Sequence, residues 1–493
     1  MTFKFNFAGL LACLGMLGAS QANATVTLLA NGTLTGSSAG VYTDLSGLNG
    51  TLENGLPANV LGGIGSGLAW AGGGTFLAIP DRGPNATPYN SAVDDTVSYV
   101  ARFQTVTMNL TPNAPGAATP FTVTPTLAGT TLLWSGSPLT YGSGAGLGTT
   151  INGSPLGSGV PAANTAGKFY FTGRSDNFDP ATTSGNPNNA RLDPESIRVS
   201  NDGTRVYVSD EYGPYIYEFN RATGERLRSF ALPANLDVAK SSPVGATEIG
   251  ANTAGRTANK GMEALAITPD GKTLVGIMQA ALIQDAAQGG AAGNLLRIVT
   301  VDVATGAAHE YGYLLTSGSG VSDVVALNDH EFLVDERDGK GLGDGSNAKV
   351  KQVFKIDLAG AVDITDMDGA QAATRAVNKS VFLDIVDVLN KAPNKIDKSQ
   401  IPSKIEGLAL GQDIDVNGVT EHSLWVANDN DFMPDDAGPN QFYVFGFTDA
   451  DLNGSMFVPQ PMRQPVPEPA SAALFGIGLL GLTGTLGRRR TSR

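Results

Sequence analysis

Cysteine is all but absent: Cys13 is the only one among 493 residues. It stands in the opening stretch MTFKFNFAGLLACLGMLGASQANA, where Lys4 precedes an apolar run at 7–17 and Ala22, Asn23 and Ala24 form a small-residue exit. That order reads as a secretory signal over residues 1–24. The rest of the chain then carries no thiol, so no disulfide can staple it and its stability has to come from burial. Histidine is nearly as scarce, with only His309, His330 and His422. A Ser-His-Asp triad or a zinc centre would need these three to converge, and their placement in loops and at strand edges argues against that. Positive charge is in deficit: 32 Lys and Arg stand against 46 Asp and Glu, for a formal net charge of −14. Such a field repels nucleic acid and anionic lipid, and no basic face for either is expected. It feeds cations toward any carboxylate cluster. In place of charge, at only 16%, the chain has 63 glycines and 27 prolines. Both punctuate strands and interrupt helices, which points to an all-β protein with many turns.

The other end is as distinctive as the first. Residues 470–486 are apolar or small, just enough to cross a bilayer with little tilt. Arg488, Arg489, Arg490 and Arg493 follow, and would hold the cytoplasmic side. Val466, Pro467, Glu468 and Pro469 stand immediately before. The three parts in this order resemble the PEP-CTERM sorting tail of Gram-negative bacteria. That resemblance implies processing by a transpeptidase-like exosortase, a transient or retained membrane anchor, and a destination on the outer surface or outside the cell. The expected division is a signal at 1–24, one domain at 25–462 and a sorting tail at 463–493.

Between the ends the chain repeats. GIGSGLAWAGGGTFLAIPDRGP starts at Gly63, DPESIRVSNDGTRVYVSDEYGP at Asp193 and KGMEALAITPDGKTLVGIMQAAL at Lys260. GVSDVVALNDHEFLVDERDGKG starts at Gly320 and SKIEGLALGQDIDVNGVTEHSLWVANDND at Ser403. Each unit runs through a small or acidic residue, a short apolar stretch, a turn, a second apolar stretch and a polar cluster. This is a β-hairpin, with Asn201-Asp202-Gly203 and Pro269-Asp270-Gly271 as turns. Further strand pairs follow, turning at Gly224 and Gly306. A lone unit could not bury its apolar face, so four-stranded units must pack on one another as propeller blades. The uneven spacing of the units implies further unaligned blades, and six or seven four-stranded antiparallel sheets are expected. Residues 105–167 read as a degenerate blade and a long loop. Residues 376–391 carry Val377, Val381, Ile385, Val388 and Leu389 at helical spacing and read as one short helix. The terminal apolar run is expected as a second helix.

In a propeller, equivalent strand ends converge on the central channel. Glu195, Glu263, Asp323 and Glu406 stand at the starts of their units; Asp81-Arg82, Asp210-Glu211, Asp335-Glu336-Arg337 and Asn428-Asp429-Asn430-Asp431 stand at the ends. Radial blades would gather these groups around one opening, a crowding that raises carboxylate pKa values unless a cation neutralises it. Oxygen-only donors suit Ca²⁺. The candidate metal ligands are Asp81, Asp210, Glu211, Asp335, Glu336, Glu406, Asn428 and Asp429. The plainer reading of each acid is a turn cap or a partner for an Arg of the next blade. DPESI, KGMEALAI, DERDGKG and KIEGLAL with LWVANDND resemble the bacterial phytase-like family, "esterase-like activity of phytase", over most of the chain. The resemblance implies a β-propeller and hydrolysis of phosphate or carboxylic esters. The lysine- and acid-rich phosphate cleft of the calcium-dependent β-propeller phytases is not found here, which leaves phytate in doubt. A catalytic ring would use Glu195 or Glu263 as base, and Arg82 or Arg337 against developing negative charge. The alternative is a non-catalytic surface propeller that binds glycans or proteins, since the fold hosts both. Two other motifs are weaker. Gly36–Gly40 matches G-x-S-x-G without a nucleophile elbow around it. Asp413, Asp415, Asn417 and Gly418 match half an EF-hand loop, with Leu424 where a bidentate acid belongs; they read as a hairpin turn or a weak surface calcium site.

Overall fold

The computed structural model describes residues 26–463, apart from 87–89, 94–95, 214–215 and 317. The segment 1–24, expected as a secretory signal, and the apolar run 470–486, expected as a helix, lie outside the described residues. Among those described, no helix is long and apolar enough to cross a membrane.

The described chain forms five four-stranded antiparallel blades rather than six or seven. Blade I comprises Gly67–Trp70, Thr75–Ile79, Arg102–Pro112 and Phe121–Leu132. Blade II comprises Pro194–Val199, Arg205–Asp210, Ile216–Asn220 and Arg226–Phe230. Blade III comprises Met262–Ile267, Thr273–Met278, Leu295–Asp302 and Ala308–Leu314. Blade IV comprises Gly320–Ala326, Glu331–Arg337, Lys351–Asp357 and Lys379–Asp384. Blade V takes Ile405–Leu410, Val419–Asn428 and Asn440–Phe447, and its outermost strand is Thr27–Leu34 from the other end of the domain. The five repeats are the five inner hairpins, and the wide gap before the second holds the long outer strands of blade I and then mostly loop, not another blade. The turns fall as the repeat predicts, with Gly203, Gly224, Gly271 and Gly306 at φ 72°, 74°, 75° and 77°.

No single core exists. Five apolar clusters each join two neighbouring blades, the last returning from blade V to blade I. In that last seam Trp425 of blade V lies 4.6 Å from Phe76 of blade I, ring centre to ring centre. Because each blade is covered on both faces, inner strands such as Met262–Ile267 are buried at every residue. Five inner strands also make a narrow ring, and glycine lets their backbones meet. The Gly407 N–H donates to the Gly65 carbonyl at 2.7 Å. A Cβ on Gly407 would stand 2.8 Å from that oxygen, and one on Gly65 would stand 2.3 Å from the Asn428 carbonyl oxygen. Gly407→Ala should therefore lower unfolding stability by about 1–3 kcal/mol, read by denaturant titration.

The helical reading of residues 376–391 needs correction. Lys379–Asp384 is the outer strand of blade IV, with Val381 exposed, and only Ile385–Asn390 is helical. Asp384 stops the strand and starts the helix, its side chain accepting the Asp387 N–H at 2.9 Å. Four further short α-helices occur, Gly245–Ala251, Ile283–Ala286, Gly369–Ala373 and Pro434–Ala437.

Candidate functional site

Strand starts and second-strand ends of the inner hairpins lie at one face, which makes a mouth there. In blades II to V the hairpin register slips by one residue, between Pro194 and Ile197, Met262 and Ala264, Val321 and Val324, and Ile405 and Leu408. A bulge of this kind re-aims a side chain. The residue just after the outer pair is Glu195, Glu263, Ser322 and Glu406 in turn. Asp323 is thus one step out of line with the acids it was grouped with. It turns into the wall, where its carboxylate accepts from Arg198 Nη2 at 2.7 Å, Ser196 Oγ at 2.9 Å and the Leu408 N–H at 2.8 Å.

Strand alternation also splits the paired residues at the second-strand ends. Glu211, Gln279, Arg337 and Asp429 face the mouth, and the residue before each belongs to the wall. Asp210 accepts the N–H groups of Asp193 at 3.0 Å and Tyr212 at 3.1 Å. Asn428 accepts the Gln441 N–H at 2.6 Å. Glu336 points to blade III, where Tyr313 Oη donates to it at 2.5 Å, and Lys379 of its own blade ion-pairs with it. The structure does not bring Asp210, Asn428 or Glu336 to a common ligand. Asp335 is fully buried, and neither of its carboxylate oxygens has a hydrogen-bond partner.

At the mouth itself two carboxylate groups form, each with three oxygens within 4.8 Å of one another. Asp81, Asp429 and Asp431 make the first. Lys404 occupies it, with Nζ 2.9 Å from Asp429 and also paired with Asp431. Asp193, Glu195 and Glu211 make the second, all buried. Arg82 Nη1 lies 2.8 Å from Asp193 and 3.9 Å from Glu211. Among the described residues the Glu195 carboxylate has no hydrogen bond or ion pair. Beside this group Glu263 accepts from Gln279 Nε2 at 2.6 Å, while Arg337 pairs with Glu406 and stands 4.0 Å from Glu263. One oxygen each of Glu263 and Glu406 is buried with no partner. Arg337 is held in place by Ser322, which accepts from its Nε at 2.8 Å. The acids predicted from opposite ends of the sequence, Glu195 and Glu406, thus share one rim with Glu263 between them.

The electrostatics follow from this crowding. Burial, then Glu263, Asp193 and Glu211, pushes Glu195 well above the usual carboxylate range. Glu211 rises for the same reasons, burial first and Glu263 next. Burial lifts Asp81 to about 7 against the opposing pull of Arg82, and lifts Asp210 to about 7. Burial and then Glu406 lift Glu263 to about 7. Asp429 is raised well above its ordinary value by burial, and Lys404, though desolvated, is raised by Asp429 and Glu406. The mouth carries more negative charge than Arg82, Arg337 and Lys404 balance, so it takes up protons or a further cation.

Asp335 gives a separate test. Burial holds its pKa well above the ordinary value. The folded state therefore keeps a proton that the unfolded chain loses above about pH 4, and stability falls as pH rises from there toward the folded pKa. Asp335→Asn removes that dependence. Thermal unfolding should show a gain of about 1–3 kcal/mol at pH 8 that vanishes below pH 4.

Residues missed by sequence reasoning are Asp193, Lys404 and Gln279; Asp431 was named at the end of its unit but not as a ligand. Asp193 was legible as the first letter of its repeat, whereas Lys404 and Gln279 are marked only by standing beside acids of their own hairpins, Asp429 and Glu263. The weaker motifs resolve plainly. Gly36–Ser37 and Gly40–Val41 form a small surface hairpin with no helix after it. Asp415 accepts the Gly418 N–H at 2.9 Å in a hairpin turn, with Asn417 at φ 54°. His309, His330 and His422 sit in three different blades, each beside an aspartate, at 2.7, 2.8 and 2.8 Å. The far end of the channel narrows to a cavity of about 50 Å³, closed by Phe457, Pro459 and Gln460. Gln460 Nε2 donates to the Val199 carbonyl at 2.8 Å, and the Val458 N–H to that of Leu327 at 2.8 Å. The C-terminal segment of the domain thereby plugs the face opposite the acids.

A five-bladed propeller with an acid-lined mouth on one face, in a chain that carries a sorting motif, defines the class: an exported β-propeller. The chain belongs to the phytase-like family, "esterase-like activity of phytase", whose model matches residues 59–432. Residues 465–490 match the PEP-CTERM protein-sorting motif, which implies exosortase processing. The chain is similar to an "uncharacterized secreted protein" of Arthroderma benhamiae, 27% identical over 443 residues, 77% of this chain and 81% of that one. Among solved structures it is similar to Kuenenia stuttgartiensis hydrazine synthase, at TM-score 0.29 and 13% identity, over 75% of this chain and 78% of that one. A luciferin-regenerating enzyme matches at TM-score 0.29 and 9% identity, over 82% and 97%. Likenesses this distant say nothing of the chemistry of this chain.

Proposed function

We propose that the mouth binds a divalent cation of the calcium type through Asp193, Glu195 and Glu211, and that the protein hydrolyses phosphate or carboxylic esters there. The observation that carries this reading is the convergence of three buried carboxylates within 4.8 Å, one of them, Glu195, with no hydrogen bond or ion pair among the described residues. The donor set fits: it is all oxygen, it is deprotonated by a cation's own field, and the positive charges facing it are Arg82 and, at Glu211, Lys260. The neighbouring group, already filled by the Lys404 ammonium, illustrates how such a cluster is satisfied. A bound cation supplies polarisation of the ester or phosphoryl oxygen and a more acidic water.

The remaining work falls to the protein's own groups. The unpartnered oxygen of Glu263 takes a proton from water as its oxygen bonds to the acyl carbon or phosphorus. Arg82 and Arg337 face the negative charge that develops on the reacting group. The ester C–O or P–O bond then breaks, and the departing alkoxide takes the proton back from the Glu263 carboxyl. Arg337 also pairs with Glu406, which keeps Glu263 from sharing its charge with a second free carboxylate.

The test uses the exported chain with calcium, magnesium or chelator. Thermal unfolding and hydrolysis of p-nitrophenyl phosphate, acetate and butyrate, and of phytate, are followed together. Calcium should raise the melting temperature and support turnover of one ester class, both reversed by chelator. A calcium shift without turnover of any ester would reduce the cluster to a structural ion site and favour a ligand-binding propeller. No calcium shift would remove the cation reading altogether.

A further inference from the structure

Next to the acid mouth, on the same face, lies a crevice of opposite character. It opens between the loops that carry Arg191 and Tyr212 and residues 242–259, and Arg82, Arg191 and Arg256 all line it, with Glu248 as the lining carboxylate among the described residues. Its volume is about 30 Å³, room for two water-sized groups such as the two oxygens of an oxyanion. Arg82 belongs to both sites, since its guanidinium also holds Asp193.

Arg191 is the informative member. It is 2% exposed, yet among the described residues no carboxylate is in hydrogen-bond contact with it. Its bonds go to neutral oxygens, Ser241 Oγ at 2.8 Å and the Ser175 carbonyl at 3.5 Å. The carboxylate of Glu248 is 3.8 Å away and already committed, to Arg256 Nη1 at 2.6 Å and to the Ser242 N–H at 3.0 Å. The Arg191 guanidinium lies over the rings of Phe178 at 4.8 Å and Tyr212 at 5.1 Å, which fixes its plane. Burial, with Arg256 adding to it, lowers the Arg191 pKa despite Glu248. A buried guanidinium without a bonded counter-ion is costly, and an entering oxyanion, received by its two-pronged fork, relieves that cost.

We infer that this crevice is an oxyanion-binding subsite, with Arg191 as its anchor and Arg256 beside it, for a phosphate or carboxylate group carried by the substrate. The inference rests on the reading that the mouth is the reaction site, and it narrows that reading: the ester bears a second anionic group, seated in the crevice while the scissile bond lies over the acids. A neutral ester would leave the crevice unfilled and be the poorer substrate.

Calorimetric titration of the exported chain with inorganic phosphate and with acetate, in chelator and without any ester, isolates the subsite from catalysis. Saturable binding of either ion is expected below about 10 mM, and the tighter of the two names the group. Arg191→Gln should weaken it tenfold or more, and Arg191→Lys, which keeps charge but loses the fork, should fall between. Circular dichroism verifies that the variants are folded. No binding of either ion by the unaltered chain overturns the inference, whatever the variants do. Equal binding by a folded Arg191→Gln variant overturns it as well. Calcium-dependent turnover, measured separately, succeeds or fails on its own.

Discussion

A chain that begins at Thr35 should fail to fold. The strand Thr27–Leu34 is the outermost of blade V, and its register against Asn440–Phe447 runs from Thr27 opposite Gly446 to Leu34 opposite Asn440. Its residues serve two seams. Leu28 is buried in the cluster between blades IV and V, and Leu29, Ala30 and Leu34 in the cluster between blades V and I. Burial of the three leucines contributes about 1.5–3 kcal/mol each, before the strand's backbone hydrogen bonds are counted. That sum approaches the roughly 5–15 kcal/mol by which a typical domain is stable. Removal also leaves Asn440–Phe447 as an open apolar edge, a template for aggregation. The expected result is insoluble or protease-sensitive protein without a cooperative melt. A synthetic peptide of residues 26–35 should restore part of the soluble fraction by pairing with that edge. A cooperative melt at the original temperature for the shortened chain would mean that the ring does not depend on this closure.

That strand shows where the sequence is readable and where it is not. Periodicity, turn glycines and the repeat are local, so all five inner hairpins are visible in the order in which the structure uses them. The pairing of residue 27 with residue 446 leaves no local trace, and neither does the fact that five units suffice to close the ring. Blade I hides for another reason. Its outer strands are rich in threonine, and the alternation in Arg102–Pro112 is apolar-in and polar-out only when the covering neighbour is known. The site divides along the same line. That acids gather at one opening follows from repetition. Which acids face the opening depends on a one-residue bulge, which advances Ser322 to the mouth and sends Asp323 into the wall, and on strand alternation, which separates Glu211 from Asp210 and Arg337 from Glu336. Lys404 and Gln279 enter because they lie beside acids of their own hairpins, and Asp193 because it stands two residues before Glu195.

Glu195→Gln and Glu263→Gln should separate two roles that position alone cannot distinguish. Both residues occupy the bulge of their blade, both are buried, and both carry raised pKa values. Their partners differ. Glu195 faces Asp193 and Glu211 within 4.8 Å and has no hydrogen bond or ion pair among the described residues, whereas Glu263 is fixed through one oxygen by Gln279 at 2.6 Å and its other oxygen is buried without a partner. Neutralising Glu195 takes a full charge from the three-carboxylate group, so the calcium-induced rise in melting temperature should largely disappear, and turnover with it. Without calcium the same variant should be more stable than the parent, because like charges no longer face each other in a buried cluster. Neutralising Glu263 leaves that group intact. Its calcium shift should match the parent's while turnover falls by about a hundred-fold to ten-thousand-fold, the contribution of a positioned general base. Differential scanning fluorimetry and ester hydrolysis on the same preparations read both. If Glu263→Gln abolished the calcium shift and Glu195→Gln preserved it, the two assignments would exchange places. If both variants kept full turnover, the rim would hold no catalytic carboxylate at either position.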